Sequence, residues 1–333
     1  MKWRQFSSMR RKQFVVAAMR IFVAMLLLLC VFNSHVSAHW EEHDLGGQYM
    51  FGYAGVEENL FTYISEIELN NIPANVETIV VASAADDLGP RLSFLSSRGQ
   101  RGIVILDGLL FRPDANLNTP CGANAWRSRS DFRLKFDNWL MLNAPNLVPQ
   151  KVAILVINTE VNNRCVSATS LDEVTQYVAA RLPALPTIAG YDATRGAQPL
   201  PETIPASLAG VAFYRYHVLD PRTEVTYQAS LNHLKARMTS AQRLILVPDG
   251  FYDSFHVADG WPKWYLGVLA LNYAQLAKND PKVVGLVFFR WPGFFEFGEQ
   301  KLGVRDLPQS VRDRHREAAC LLGRTNPFVA PCL

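Results

Sequence analysis

The chain has 333 residues, 49% of them hydrophobic, with 33 Lys and Arg against 30 Asp and Glu and a formal net charge of +3. Arg4, Arg10, Arg11, Lys12 and Arg20 supply much of that small excess and no basic tract follows, which argues against nucleic acid as a partner. The length is large for a simple β-sandwich and typical of one eight-fold β/α barrel.

The basic N-terminal stretch precedes an apolar run from Ile21 to Phe32, and Val36, Ser37 and Ala38 then fit a small-x-small cleavage site. Residues 1–38 read as a secretory signal peptide, leaving residues 39–333 as one mature domain in the periplasm or the medium. The apolar run is shorter than the roughly 20 residues of a spanning helix, so no stable membrane insertion is expected after cleavage. Arg10 and Arg11 match a twin-arginine signal poorly, because Gln13 stands where an apolar residue is expected.

Along the mature chain, short apolar runs alternate with helical patterns. The expected strands are 48–53, 78–82, 102–106, 152–157, 187–190, 211–214, 243–247 and 283–289. Unbroken Val, Ile and Leu, as in Val152 to Ile157, mark strands buried on both faces of a parallel sheet. Helices are expected over 59–69, 130–142, 170–182, 223–238, 264–277 and 307–322. Phe132, Phe136, Trp139 and Leu140 share one helical face, and Ser170 to Glu173 resembles a capping box. Pro199, Pro201 and Pro205 break the fifth connection, so its helix is short or missing. Eight strand–helix units close naturally into a single (β/α)8 TIM barrel of the α/β class. The alternative, an open doubly wound sheet, lacks a Gly-rich phosphate loop after its first strand.

Four cysteines follow the leader: Cys121, Cys165, Cys320 and Cys332. An even number in an exported chain suggests two disulfides, with three connectivities open. Cys121–Cys165 and Cys320–Cys332 are favoured, because the first pair falls in the loops after two neighbouring strands and the second ties down the C-terminal tail. No C-x-x-C spacing is present, and His39 with His43 at the start of the mature chain is read as a coincidence, so neither a metal nor another cofactor is implied.

In a barrel, residues just past each strand share one mouth. That inventory is rich: Tyr53, Glu57 and Glu58; Asp86 and Asp87; Asp107; Glu160; Tyr191 and Asp192; Tyr216 and His217; Asp249 and Asp253; Arg290, Trp291 and Glu296. Glu160 ranks first, since a carboxyl ending an apolar strand is costly to bury unpaired. Its structural reading is an ion pair with Arg164 or Arg290. Asp249 ranks second, although Asp-Gly after a strand also makes an ordinary turn. Two carboxylates facing across a cleft are what glycoside hydrolysis requires. Trp126, Tyr252, Trp261, Trp264 and Trp291 offer aromatic faces for sugar rings.

On these residues the chain resembles the clan of retaining (β/α)8 glycoside hydrolases. That clan carries its acid/base at the end of strand four, its nucleophile at the end of strand seven, an aromatic or His pair after strand six and a Trp after strand eight. The matching positions are Glu160, Asp249, Tyr216 with His217, and Trp291. Thr159 separates Asn158 from Glu160, where the clan usually places Asn directly before its acid/base. The resemblance implies an exported enzyme on a polysaccharide or oligosaccharide, with Glu160 and Asp249 catalytic. Asp107, Tyr191, Asp192, Tyr216, His217, Trp261, Arg290 and Trp291 would then bind substrate. Two other readings stay open. One is a glycan-binding protein on a degenerate barrel. The other is a metal-dependent esterase or deacetylase using Asp107, His217 and Asp249. The sequence does not fix the oligomeric state.

Overall fold

A computed structural model describes residues 49–332; the expected leader, residues 1–38, lies outside them. Eight strands form a closed, all-parallel barrel. They are β1 (Met50–Tyr53), β2 (Val76–Val80), β3 (Arg101–Ile105), β4 (Val152–Asn158), β5 (Thr187–Asp192), β6 (Gly210–Tyr214), β7 (Arg243–Val247) and β8 (Val283–Phe288). Each pairs with the next in the chain, and β8 closes the ring on β1 with Met50 opposite Gly285 and Tyr53 opposite Phe288. All eight runs expected from the sequence are therefore strands, displaced by at most a few residues.

Helices lie between the strands: α1 (Leu60–Leu69), α2 (Gly89–Ser97), α3 (Phe132–Asn143), α4 (Ala168–Arg181), α5 (Val225–Lys235), α6 (Tyr265–Asn279) and α7 (Gln309–Leu321). The segment between β5 and β6 holds none, as its prolines require. Apolar periodicity does not mark α2, which begins at Gly89 and Pro90 and is rich in serine. The cap of α4 is Ser167 rather than Ser170: the Ser167 hydroxyl accepts from the Ser170 N–H at 3.2 Å. Ser170 is thus the third residue inside the helix, where it needs an acceptor.

Strand alternation divides the apolar residues into two layers. Residues such as Phe51, Leu155, Phe213 and Leu286 point outward and join Phe136, Trp139, Leu231 and Leu269 of the helices in the larger core. Met50, Val76, Ile103, Ile154, Val156, Ile188, Ala212, Ile245 and Val287 point inward and form a second cluster along the axis. At the C-terminal end of the strands, the antiparallel pair Phe294–Glu296 and Glu299–Gly303 joins Phe251–Tyr252 beside the mouth. Phe111–Pro113 pairs with Trp126–Ser128 after β3. Among the described residues, no helix is long and apolar enough to cross a membrane.

Both favoured disulfides form, Cys121–Cys165 with Cα atoms 5.9 Å apart and Cys320–Cys332 with 5.5 Å. The first spans 44 residues and binds the loop after β3 to the loop after β4. Cross-linking a loop of that length restricts the unfolded chain by about 4 kcal/mol in the chain-entropy treatment. The double replacement Cys121→Ser with Cys165→Ser is expected to lower the unfolding free energy by about 2–4 kcal/mol in urea titrations. A midpoint shift no larger than that of Cys320→Ser with Cys332→Ser, whose loop spans 12 residues, would contradict the loop-length argument.

Candidate active site

The barrel mouth opens into a cavity of about 1420 Å³. Asp107, Glu160, Asp192, Tyr216 and His217 line it, in keeping with their expected place at the barrel mouth. Glu160 lies two residues past β4, and its side chain is 47% exposed. The Asn158 side-chain oxygen accepts from the Glu160 N–H at 3.0 Å and fixes the turn. Thr159, between them, donates its hydroxyl to Asp107 Oδ2 at 2.5 Å. The residue that separates the Asn from the Glu thus ties the ends of β3 and β4 together.

Arg164 organises this side of the mouth. Its guanidinium pairs with Asp107, reaches Glu160 Oε2 at 3.5 Å and lies over the Trp126 ring at 4.1 Å. The Trp126 N–H in turn donates to the Arg164 carbonyl at 2.7 Å. Glu160 is therefore paired, but at a longer distance than Asp107. Burial raises the Glu160 pKa; Arg164 opposes that, and the negative charges of Asp192, Asp107 and Glu296 reinforce it, leaving the net shift upward. Burial likewise raises the Asp107 pKa, against Arg164 and Thr159.

On the other side, the structure departs from the expected pairing. Asp249 continues the inward-facing series of Ile245 and Val247, yet it is 0% exposed and is not part of the cavity wall. Tyr216, His217 and Phe251 form the wall there, with Phe251 in edge contact with Tyr216 at 5.3 Å and with His217 at 6.1 Å. Asp249 Oδ2 instead accepts the His217 backbone N–H at 2.8 Å, and Oδ1 is buried without a hydrogen-bond partner among the described residues. His217 adopts φ of 60°, a left-handed conformation that non-glycine residues rarely take. The buried carboxylate stabilises that turn. Asp249 and Glu160 thus do not face one another across open space.

A charged network runs along this wall: His217, Asp253, Glu296 and Lys301 line the cavity and His256 is buried behind them, and the sequence reading lacked His256 and Lys301. His217 Nε2 lies 3.4 Å from Asp253 Oδ2, and His256 Nδ1 lies 2.7 Å from Asp253 Oδ1. Lys301 Nζ stands 3.6 Å from Asp253 and 3.1 Å from Glu296. Burial raises the Asp253 pKa, but hydrogen bonds and charge from His217 and His256 outweigh it and hold the carboxyl far below the usual range. Burial lowers the His217 pKa, and Asp253 and Asp249 outweigh it in the opposite direction, so the net shift is upward.

Four expected substrate contacts lie away from the cavity. Trp291 is 0% exposed, packs on Tyr53 at 5.0 Å between centroids and donates its indole N–H to Glu66 at 3.3 Å. Inward alternation ends with Phe289, which lines the cavity in its place. Tyr191 falls on the outward side of β5, between the inward Ile188 and Asp192, and is buried against the helices. Arg290 pairs with Glu58 and lies over Phe294 at 4.7 Å. Trp261 packs against His256 at 5.5 Å. Of the five aromatic residues offered as faces for sugar rings, Trp126 alone lines the cavity, while Tyr214, Phe251, Phe255, Phe289 and Phe297 were missed. Counting by two along β6 from Ala212 would have found Tyr214. Asp107, His217 and Asp249 do not gather as ion ligands. Among the described residues the group with ligand atoms within 4.8 Å is His217, Asp253 and His256, and Lys301 already supplies a positive charge beside it.

No family model matches the chain, and no curated protein does. Solved structures do. A GH113 beta-1,4-mannanase aligns with a TM-score of 0.51 at 10% identity, over 81% of this chain and 98% of that one. Xylanase 10B from Thermotoga maritima aligns with 0.51 at 10%, over 84% and 97%. Saccharomyces cerevisiae Gas2 in complex with laminaritriose and laminaritetraose aligns with 0.51 at 9%, over 81% of this chain and 65% of that one. At such identities the likeness is one of fold: the chain shares the (β/α)8 barrel of these proteins.

The network has a pH signature. The raised His217 pKa contributes stability that is complete below its unfolded value of about 6.5 and is lost as pH rises through the folded value. The excess stability of wild type over His217→Gln should therefore shrink as pH rises from about 6.5 into the alkaline range in denaturant titrations. A difference constant over that range would show that the imidazole is not charged in the fold.

Proposed function

We propose that this protein is a glycoside hydrolase that binds an oligosaccharide or polysaccharide in the barrel mouth, with Glu160 as its general acid. The observation that carries this reading is the placement of Glu160: at the end of β4, open to a large cavity, with its pKa raised by burial and by surrounding carboxylates. A carboxyl whose pKa is raised keeps its proton to a higher pH than a free Glu and can deliver it to the leaving glycosidic oxygen. The barrel shared with a mannanase, a xylanase and Gas2 supports the same class of chemistry.

The second carboxylate is reassigned. Strands four and eight are opposite one another in the barrel order, and Glu296, beyond β8, lines the cavity with a half-exposed side chain. Lys301 pairs with it at 3.1 Å and orients the carboxylate, which suits a base that activates water. In this reading Asp249 is a positioning residue: it holds the His217 turn and leaves the sugar contacts to Tyr216, His217, Asp107 and Asp192. Export through the leader agrees with the two disulfides.

The burial of Asp249 also favours a second reading, a barrel that captures glycan without cleaving it. Turnover decides between them. Assays on β-mannan, xylan and laminarin should show reducing-end release by wild type. Glu160→Gln should reduce kcat by about 10²–10⁴-fold with unchanged circular dichroism. Hydrolysis at the wild-type rate in Glu160→Gln would remove Glu160 from the chemistry. Glycan-induced stabilisation with no product from wild type would establish the binding reading.

A further inference from the structure

The floor of the cavity is apolar, and its chemistry differs from that of the rim. The inward faces of the strands remain in contact with open space: Val247 and Val287 are each 5% exposed, whereas their outward neighbours Leu246 and Leu286 are 0%. Val80, at the end of β2, lines the same cavity and is 43% exposed. Ile105, Tyr214 and Phe289 are half-buried there and pack on the inner cluster. Above them the rim carries Asp107, Glu160, Asp192 and Arg164, and at its edge Phe297 is 90% exposed. A cavity of about 1420 Å³ exceeds the roughly 300–1,000 Å³ of an ordinary ligand pocket, so space remains beneath a sugar held at the rim. Polar groups at the rim suit hydroxyls. Aliphatic side chains in contact with solvent at the floor suit a group that water solvates poorly.

From this order of polar rim and aliphatic floor we propose that the site accepts amphiphilic glycosides, with the sugar at the rim and an apolar alkyl or aryl aglycone on the floor formed by Val80, Ile105, Ala212, Val247, Val287 and Phe289. This rests on the reading of the mouth as a glycoside site. It adds a specificity element that the neighbouring polysaccharide enzymes' names do not imply.

The test uses the full mature protein carrying Glu160→Gln, so that ligand is not consumed, with methyl, butyl, hexyl and octyl β-glucosides below their micelle-forming concentrations. Calorimetric or thermal-shift affinities should tighten by about threefold to fourfold per methylene, the value for burying one CH₂. Ala212→Phe, which fills the floor, and Val80→Asp, at an exposed position that tolerates a polar side chain, should both flatten this dependence. Val80→Asp keeps the test decisive should the Phe variant fail to fold. An affinity independent of chain length overturns the proposal. So does an unchanged slope in a folded floor variant, which would mean detergent-like association elsewhere, and so does a lack of binding by every alkyl glucoside. The two readings separate cleanly. Polysaccharide hydrolysis by wild type without a chain-length slope removes the floor subsite alone. A slope lost in the floor variants, without turnover by wild type, removes the hydrolase alone.

Discussion

Closure of the parallel ring is the constraint on which everything else in this molecule depends. Met50 to Tyr53 pairs on one side with β8 and on the other with β2, so no strand edge is left open. Once the ring is closed, the pleat sorts each strand's residues into an outward set that packs on helices and an inward set that fills the axis. The inward positions at the ends of the strands then have one place to go. Asp107, Glu160, Asp192, Tyr216 and Phe289 come from five different strands and meet in one cavity for that reason.

Within the mouth, charge is arranged in two separate groups. On the β3–β4 side, Arg164 satisfies Asp107 closely and Glu160 loosely, and the Cys121–Cys165 bond holds the loops that carry Trp126 and Arg164. The pKa of both carboxyls is raised, but Glu160 is half-exposed and paired at 3.5 Å, so it is open to a ligand, whereas Asp107 is clamped and largely buried. On the β6–β7 side, Asp253 is the common acceptor of His217 and His256 and also stands near Lys301. Asp249 supports that side from behind through one backbone hydrogen bond. A buried carboxylate with a single N–H donor is costly unless the turn it secures matters to the wall in front of it.

Much of the fold was legible because apolar runs and proline breaks are local signals. The eight runs and the missing fifth helix follow from residue order alone, and the two disulfides were favoured among three connectivities by the neighbourhood of strands that order implies. The site was legible in part. Glu160, Asp107, Asp192, Tyr216 and His217 were found by following each strand to its end, and all five line the cavity. Tyr191 and Trp291 were misplaced because position past a strand does not state which face a side chain takes. Tyr191 is one residue out of phase, and Trp291 lies beyond the point where the alternation stops. His256 and Lys301 carried no signal, since one belongs to a short helix and the other to a hairpin, far from any strand end.

The sequence by itself determined the strand–helix alternation, the barrel class and the carboxylate at the end of β4, because each follows from spacing along the chain; it favoured one of three cysteine pairings, which the structure selected. The tertiary structure alone decided which carboxylates share the open cavity. Asp249 and Glu160 occupy equivalent places on their strands, but Tyr216, His217 and Phe251 pack in front of one and nothing comparable covers the other. Solvent access at the end of a strand depends on the side chains that neighbouring loops bring over it, and those contacts link residues dozens of positions apart.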